Sequence, residues 1–131
     1  MGPSGQMPDI ISEDAVLLRR IKADWAYRDE HGQLKVKSMA FQDRRESGAL
    51  SVARSDVLEA EGKPLSAALE GWEGYGLVAI PLSVFKNLGL EVKPDPTGDD
   101  ASHTLVVGNK TGSIKKRLVD ACRWEVDVPG V

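Results

Sequence analysis

Residues 103–128, HTLVVGNKTGSIKKRLVDACRWEVDV, place three elements in a row. His103–Val107 is an apolar, partly β-branched run of strand length. Gly108-Asn109-Lys110 breaks it with turn chemistry. Thr111 or Ser113 can then cap a helix, because a hydroxyl there accepts from an N–H that the first helical turn leaves without a partner. Within that helix Ile114, Leu118 and Cys122 recur every four residues and form one inward stripe. The consecutive cations Lys115, Lys116 and Arg117 then make a solvated face. Residues 123–128 alternate Trp124, Val126 and Val128, which predicts a closing strand.

Upstream, Val16–Ile21 reads as a first strand ending in two arginines. After the turn Asp29-Glu30-His31-Gly32, residues 33–41 predict a second strand whose phase slips near Ser38, at a bulge or strand end. Leu50-Ser51-Val52 predicts a brief third strand. Ser55 is placed to cap a helix over 56–61, stopped by Gly62-Lys63-Pro64, and 65–71 predicts another short helix. A strand over 77–80 leads into a helix bracketed by Pro81 and Gly89. Residues 90–92 return as a strand before Pro94-Asp95-Pro96, which cannot continue a ladder. Strands first, then strands alternating with short helices, predict a single α+β domain with a mixed β-sheet over residues 15–131, behind a flexible leader over 1–14.

The 131 residues fit one domain, and aromatics are only 5%, so Leu, Val, Ile and Ala must supply most of the core. A net charge of −3 argues against nucleic acid as a partner, since phosphate recognition favours excess cations. One cysteine cannot form an internal disulfide, which fits a reducing cytoplasm. No run approaches the roughly 20 apolar residues of a membrane span, so a cytoplasmic protein without membrane attachment is expected.

Candidate chemistry is sparse. His103 can serve as a base, an anion partner or a strand-end histidine paired to Asp95 or Asp99. Cys122 stands alone and His31 lies far from His103, so neither a metal nor a cofactor is expected. The turn from Gly108 to Ser113 lacks the Walker spacing, yet a strand, a glycine turn and a capped helix still offer N–H groups to an anion. Arg19 and Arg20 must point to opposite faces of their strand, and an inward arginine requires an acidic side chain or a ligand anion. Ser38 and Ser51 have no Ser-His-Asp partners. Trp72 and Tyr75 read as lids on the core. The ligand-site candidate is therefore Arg20, Ser38 and His103, with Lys110 and Thr111 of the turn closing one side.

Leu18-Arg19-Arg20-Ile21, Ser38-Met39-Ala40-Phe41, Leu50-Ser51-Val52, Gly74-Tyr75-Gly76, Asp95-Pro96 and the run from His103 to Gly108 succeed one another across residues 17–128. In that order they resemble a family of small bacterial proteins of uncharacterised function. The chain has Ala101-Ser102 before the histidine where those proteins read Pro-Ala. The resemblance implies a bacterial accessory protein and supplies no activity. An arginine in the first strand and a serine in the next also resemble ADP-ribosyl-transferase-type domains. With no catalytic constellation in view, an accessory subunit acting on another protein is the first expectation. A nucleotide- or anion-binding domain using Arg20, Ser38 and His103, in a transferase-type enzyme or without catalysis, is the alternative.

Overall fold

The computed structural model describes residues 10–45 and 47–131. Eight strands and three helices follow one another as β1 (Val16–Ile21), β2 (Ala26–Arg28), β3 (Leu34–Val36), β4 (Ala49–Arg54), α1 (Ser55–Ala60), β5 (Gly76–Pro81), α2 (Leu82–Asn87), β6 (Glu91–Pro94), β7 (His103–Val107), α3 (Gly112–Ala121) and β8 (Arg123–Val126). Short 3-10 turns at Ala23–Trp25, Ser38–Phe41 and Leu65–Leu69 join them. Six strands form one sheet in the order β6-β7-β4-β1-β5-β8, and β2 and β3 form a separate hairpin. The fold is a single α+β domain.

Every pairing is antiparallel, whereas the order of elements predicts a mixed sheet. The helical crossovers do connect strands that run the same way, as such connections should. Each crossover, however, leaves at least one oppositely directed strand between the two it joins. The path from β4 through α1 to β5 straddles β1, and the path from β7 through α3 to β8 straddles three strands. Neighbours in the sheet are therefore never the strands that a crossover connects.

Alternation divides the sheet into two buried faces. Leu17, Ile21, Leu50, Val52, Val78, Ile80 and Val106 face α2, α3, the hairpin and the turn Ser38–Phe41, forming the larger core with Phe41, Phe85 and Leu118. Leu18, Ala53, Leu77 and Ala79 face α1 and the turn Leu65–Leu69, which contribute Leu58 and Ala68. β7 is an interior strand whose Val106 is fully buried.

Several local expectations change for physical reasons. The strand expected over 33–41 stops at Val36, and a 3-10 turn carries Ala40 and Phe41 into the core while Met39 faces out. The phase slip at Ser38 marks that strand end. Ser55 does not cap α1. It is the first helical residue, and its hydroxyl accepts the Val16 N–H at 2.8 Å, fastening the helix to the start of β1. Pro94 does continue a ladder, opposite Thr104, because β6 is an edge strand and a proline there can leave its donorless side unpaired. Residues 1–9 of the expected leader lie outside the described residues. Of the remainder, Ile11 is buried in the larger core, and the Ile10 carbonyl accepts from Arg54 at 3.1 Å.

Candidate functional site

The sheet is not closed along its whole length. β1 stays paired with β5 from Val16 to Ile21, but its ladder with β4 ends at the Leu18–Ala53 pair. Past that point a side chain joins the two strands. Arg19 donates from Nη1 to the Ser51 carbonyl of β4 and from Nε to the Ala40 carbonyl, both at 3.0 Å, and its guanidinium lies 5.1 Å from the centre of the Trp25 ring. Among the described residues no carboxylate pairs with it. Burial lowers its pKa from 12.5 to about 10, helped by the charges of Arg20 and Arg44 and opposed in small part by Tyr75. At neutral pH it remains a cation.

Arg20 points to the other face, as neighbours on a strand must. Its Nε donates to the Ala68 carbonyl at 2.6 Å, its guanidinium stands 4.4 Å over Trp72, and Nη2 lies 3.7 Å from Asp100. Burial lowers its pKa, and Asp100 opposes that shift. Trp72 meets Tyr75 edge-on with ring centres 5.2 Å apart. Where β1 and β4 part, these groups border a cleft of about 680 Å³ that draws its walls from both faces of the sheet. Arg44 and Ser51 line it on the β4 side, and Asp99, Asp100 and His103 on the side of the loop before β7.

His103 reaches the same cleft because it lies opposite Ala53, on the Arg20 face. Its Nδ1 is 3.0 Å from an Asp95 carboxylate oxygen and 3.1 Å from the Asp95 carbonyl. Both partners only accept, so Nδ1 carries the proton and, in the neutral ring, Nε2 is the acceptor. The carboxylate pairing expected for His103 thus falls to Asp95.

The structure brings Arg20 and His103 together and separates the other three candidates from them. Ser38 lies in the turn on the opposite side, along a second groove of about 740 Å³ between the β2–β3 hairpin, α3 and β8. Lys110 is buried, with its ammonium donating to the carbonyls of Val106 and Gly108 and standing 2.6 Å from Asp43. Two donors go to the carbonyls, and the ion pair with Asp43 balances the charge. Thr111 caps α3, accepting the Ile114 N–H at 3.2 Å. Lys110 and Thr111 therefore fasten the turn after β7. Sequence reasoning singled out the Arg19-Arg20 pair but took only Arg20 into the site, missed Arg44 and Trp25, and read Trp72 and Tyr75 as lids on the core. A signal was present in the Arg19-Arg20 pair at a strand end, followed at short range by Trp25.

Among the described residues no cluster of His, Cys, Asp and Glu could hold a metal ion, and no helix is long and apolar enough to cross a membrane. Comparison of the chain with protein families, curated proteins and solved structures finds no match.

Proposed function

We propose that the protein binds a small anion in the cleft between β1 and β4. The observation that carries this reading is Arg19, partly buried and satisfied only by carbonyls and a ring among the described residues. Arg44 stands beside it in a cleft whose other cations, Arg20 and Lys63, share the lining with Glu61, Glu70, Asp99 and Asp100. A desolvated guanidinium without a counter-charge is costly to a fold, and an anionic ligand removes that cost. Guanidinium groups also match phosphate and carboxylate geometry with two parallel donors. Asp100 already occupies part of Arg20 in the way that a ligand carboxylate or phosphate would.

Calorimetric titration with pyrophosphate and citrate tests the reading. A ligand present at a hundred times its Kd should raise the thermal midpoint by several degrees. Arg44 is exposed, so Arg44→Ala should weaken binding at least about fivefold while leaving the midpoint of the free protein within a degree or so. If neither anion binds at millimolar concentration, the proposal fails. Contact with another protein is the competing reading, and it draws on Ile10, Tyr27 and Met39, which lie outside the cleft. Exposed apolar side chains of that kind are ordinary on a protein surface.

A further inference from the structure

The rings around the cleft identify what its anion is attached to. The chain has only seven aromatic side chains: three Trp, two Tyr and two Phe. Phe41 and Phe85 are fully buried in the core, as economy in so aromatic-poor a chain requires. Trp25, Trp72 and Tyr75 instead line the one cleft that holds the three arginines. Trp72 keeps 41% of its surface exposed. The indole packs on Arg20 and Tyr75, and the cost of its remaining exposed apolar surface is removed when a ligand covers it.

The arrangement of the rings is specific. Arg20 lays its planar guanidinium over Trp72 at 4.4 Å, and Tyr75 supports the indole from its edge. A purine or pyrimidine stacks on indole and guanidinium planes alike. Across the cleft Arg19 and Arg44 supply positive charge near the opening between β1 and β4. Asp99 adds an acceptor, which suits a ribose hydroxyl or a base amino group, while Asp100 is held by Ser102 and Arg20. A simple inorganic anion uses the arginines and leaves the rings without a partner. A ligand that combines a flat heterocycle, hydroxyl donors and a phosphate uses all three sets of groups. The volume of about 680 Å³ falls within the range of small-molecule sites.

Resting on the anion-binding reading, we propose that the ligand is a nucleoside phosphate. Its base packs on the Arg20–Trp72–Tyr75 wall, and its phosphates meet Arg19 and Arg44. Binding is the whole of the proposal, with no bond made or broken.

The test is calorimetry on the full chain at one fixed ionic strength, with ADP, pyrophosphate and adenosine as probes. ADP is expected to bind between about fivefold and a hundredfold tighter than pyrophosphate, the range that stacking one base supplies. Trp72→Ala should bring ADP down to the affinity of pyrophosphate and leave pyrophosphate itself unchanged, while Trp72→Phe keeps most of the difference. Tyr75→Leu serves as a second variant of the same wall should Trp72→Ala not fold. Equal binding of ADP and pyrophosphate, or a ratio untouched by the wall variants, overturns the nucleoside assignment while the anion site stands. Adenosine binding as tightly as ADP overturns the role of the arginines. Failure of both ADP and pyrophosphate to bind overturns both readings together.

Discussion

Gly76 opens β5 where β8 crosses it, and the register there shifts between Leu77 and Val78. A Cβ built at Gly76 would lie 2.5 Å from the Val128 nitrogen and 2.8 Å from the Val126 carbonyl oxygen. Both are backbone atoms, so the chain itself must move. Gly76→Ala should cost about 1–3 kcal/mol, the range of overpacked sites, and be visible as a drop of several degrees in the thermal midpoint. A second residue-scale test concerns Arg54, whose side chain is 1% exposed and meets both Asp56 oxygens at 2.7 Å. Burial alone pushes the Asp56 carboxyl up, but hydrogen bonds from Arg54, the Ser12 N–H and the Val57 N–H, together with the Arg54 charge, hold it below its ordinary 3.8. The unfolded chain therefore takes up this proton at higher pH than the native one. The pair's contribution is fully present above about pH 4–5 and is lost as pH falls through the lower native value. Asp56→Ala should cost about 1–3 kcal/mol at pH 7, since the pair is buried on the Arg54 side only, and Asp56→Asn should flatten acid unfolding in that window. Equal slopes of stability against pH for wild type and Asp56→Asn would refute the assignment. None of this pairing is visible in the sequence, because Arg54-Ser55-Asp56 reads equally well as a strand end and a helix start.

At the scale of elements, α3 is the part that its own residues determine best. Thr111 caps it, Leu118 is fully buried, and Ile114 and Cys122 flank Leu118 on the inward side with partial exposure. Thr111→Ala should cost about 1 kcal/mol and Leu118→Ala about 2–5 kcal/mol, measured by urea unfolding. Burial also raises the Cys122 thiol to about 11, and the thiol donates to the Val119 carbonyl at 3.2 Å. At pH 8 the reactive thiolate is scarce, so labelling by a disulfide reagent should be at least about tenfold slower than for the urea-unfolded chain. The turn Ser38–Phe41 was not legible in the same way. Met39 and Phe41 imitate a period of two, yet what fixes the segment is Ala40 and Phe41 docking against elements distant in sequence. Strand β2 escaped for a related reason, since three residues carry almost no pattern of their own and need β3 to define them. The cleft follows the same logic. Arg20 and His103 were legible as residues, but their convergence depends on the β4–β7 register and on the parting of β1 from β4, both tertiary facts.

For the whole molecule, the topology makes one sheet the shared wall of two cores. β1 carries Leu17 and Ile21 into the larger core and Leu18 into the smaller, and β5 divides Val78 and Ile80 from Leu77 and Ala79 in the same manner. Neither core can form without the strands that build the other, so the two should unfold together. β1 also sits between β4 and β5, strands that follow it at long separation along the chain, and closing such loops makes β1 docking slow. Three tryptophans report on different places: Trp25 and Trp124 pack against the larger core, and Trp72 stacks on Arg20 beside the smaller. Variants that retain only Trp25 or only Trp72, with the other indoles replaced by Phe, should therefore show coincident urea transitions with one midpoint. A shared slope of about 1–3 kcal/mol per molar urea is expected for a chain of this size. Refolding should be a single phase in the millisecond-to-second range, as sheets with sequence-distant pairings show. Leu17→Ala, at the centre of the sheet, should shift both probes equally. If Trp72 were to melt at lower urea than Trp25, the Leu65–Leu69 side would be a separate unit and the cleft a joint between two parts. Coincident transitions instead make the cleft wall part of the global fold, so that ligand binding stabilises the whole molecule and not one edge of it.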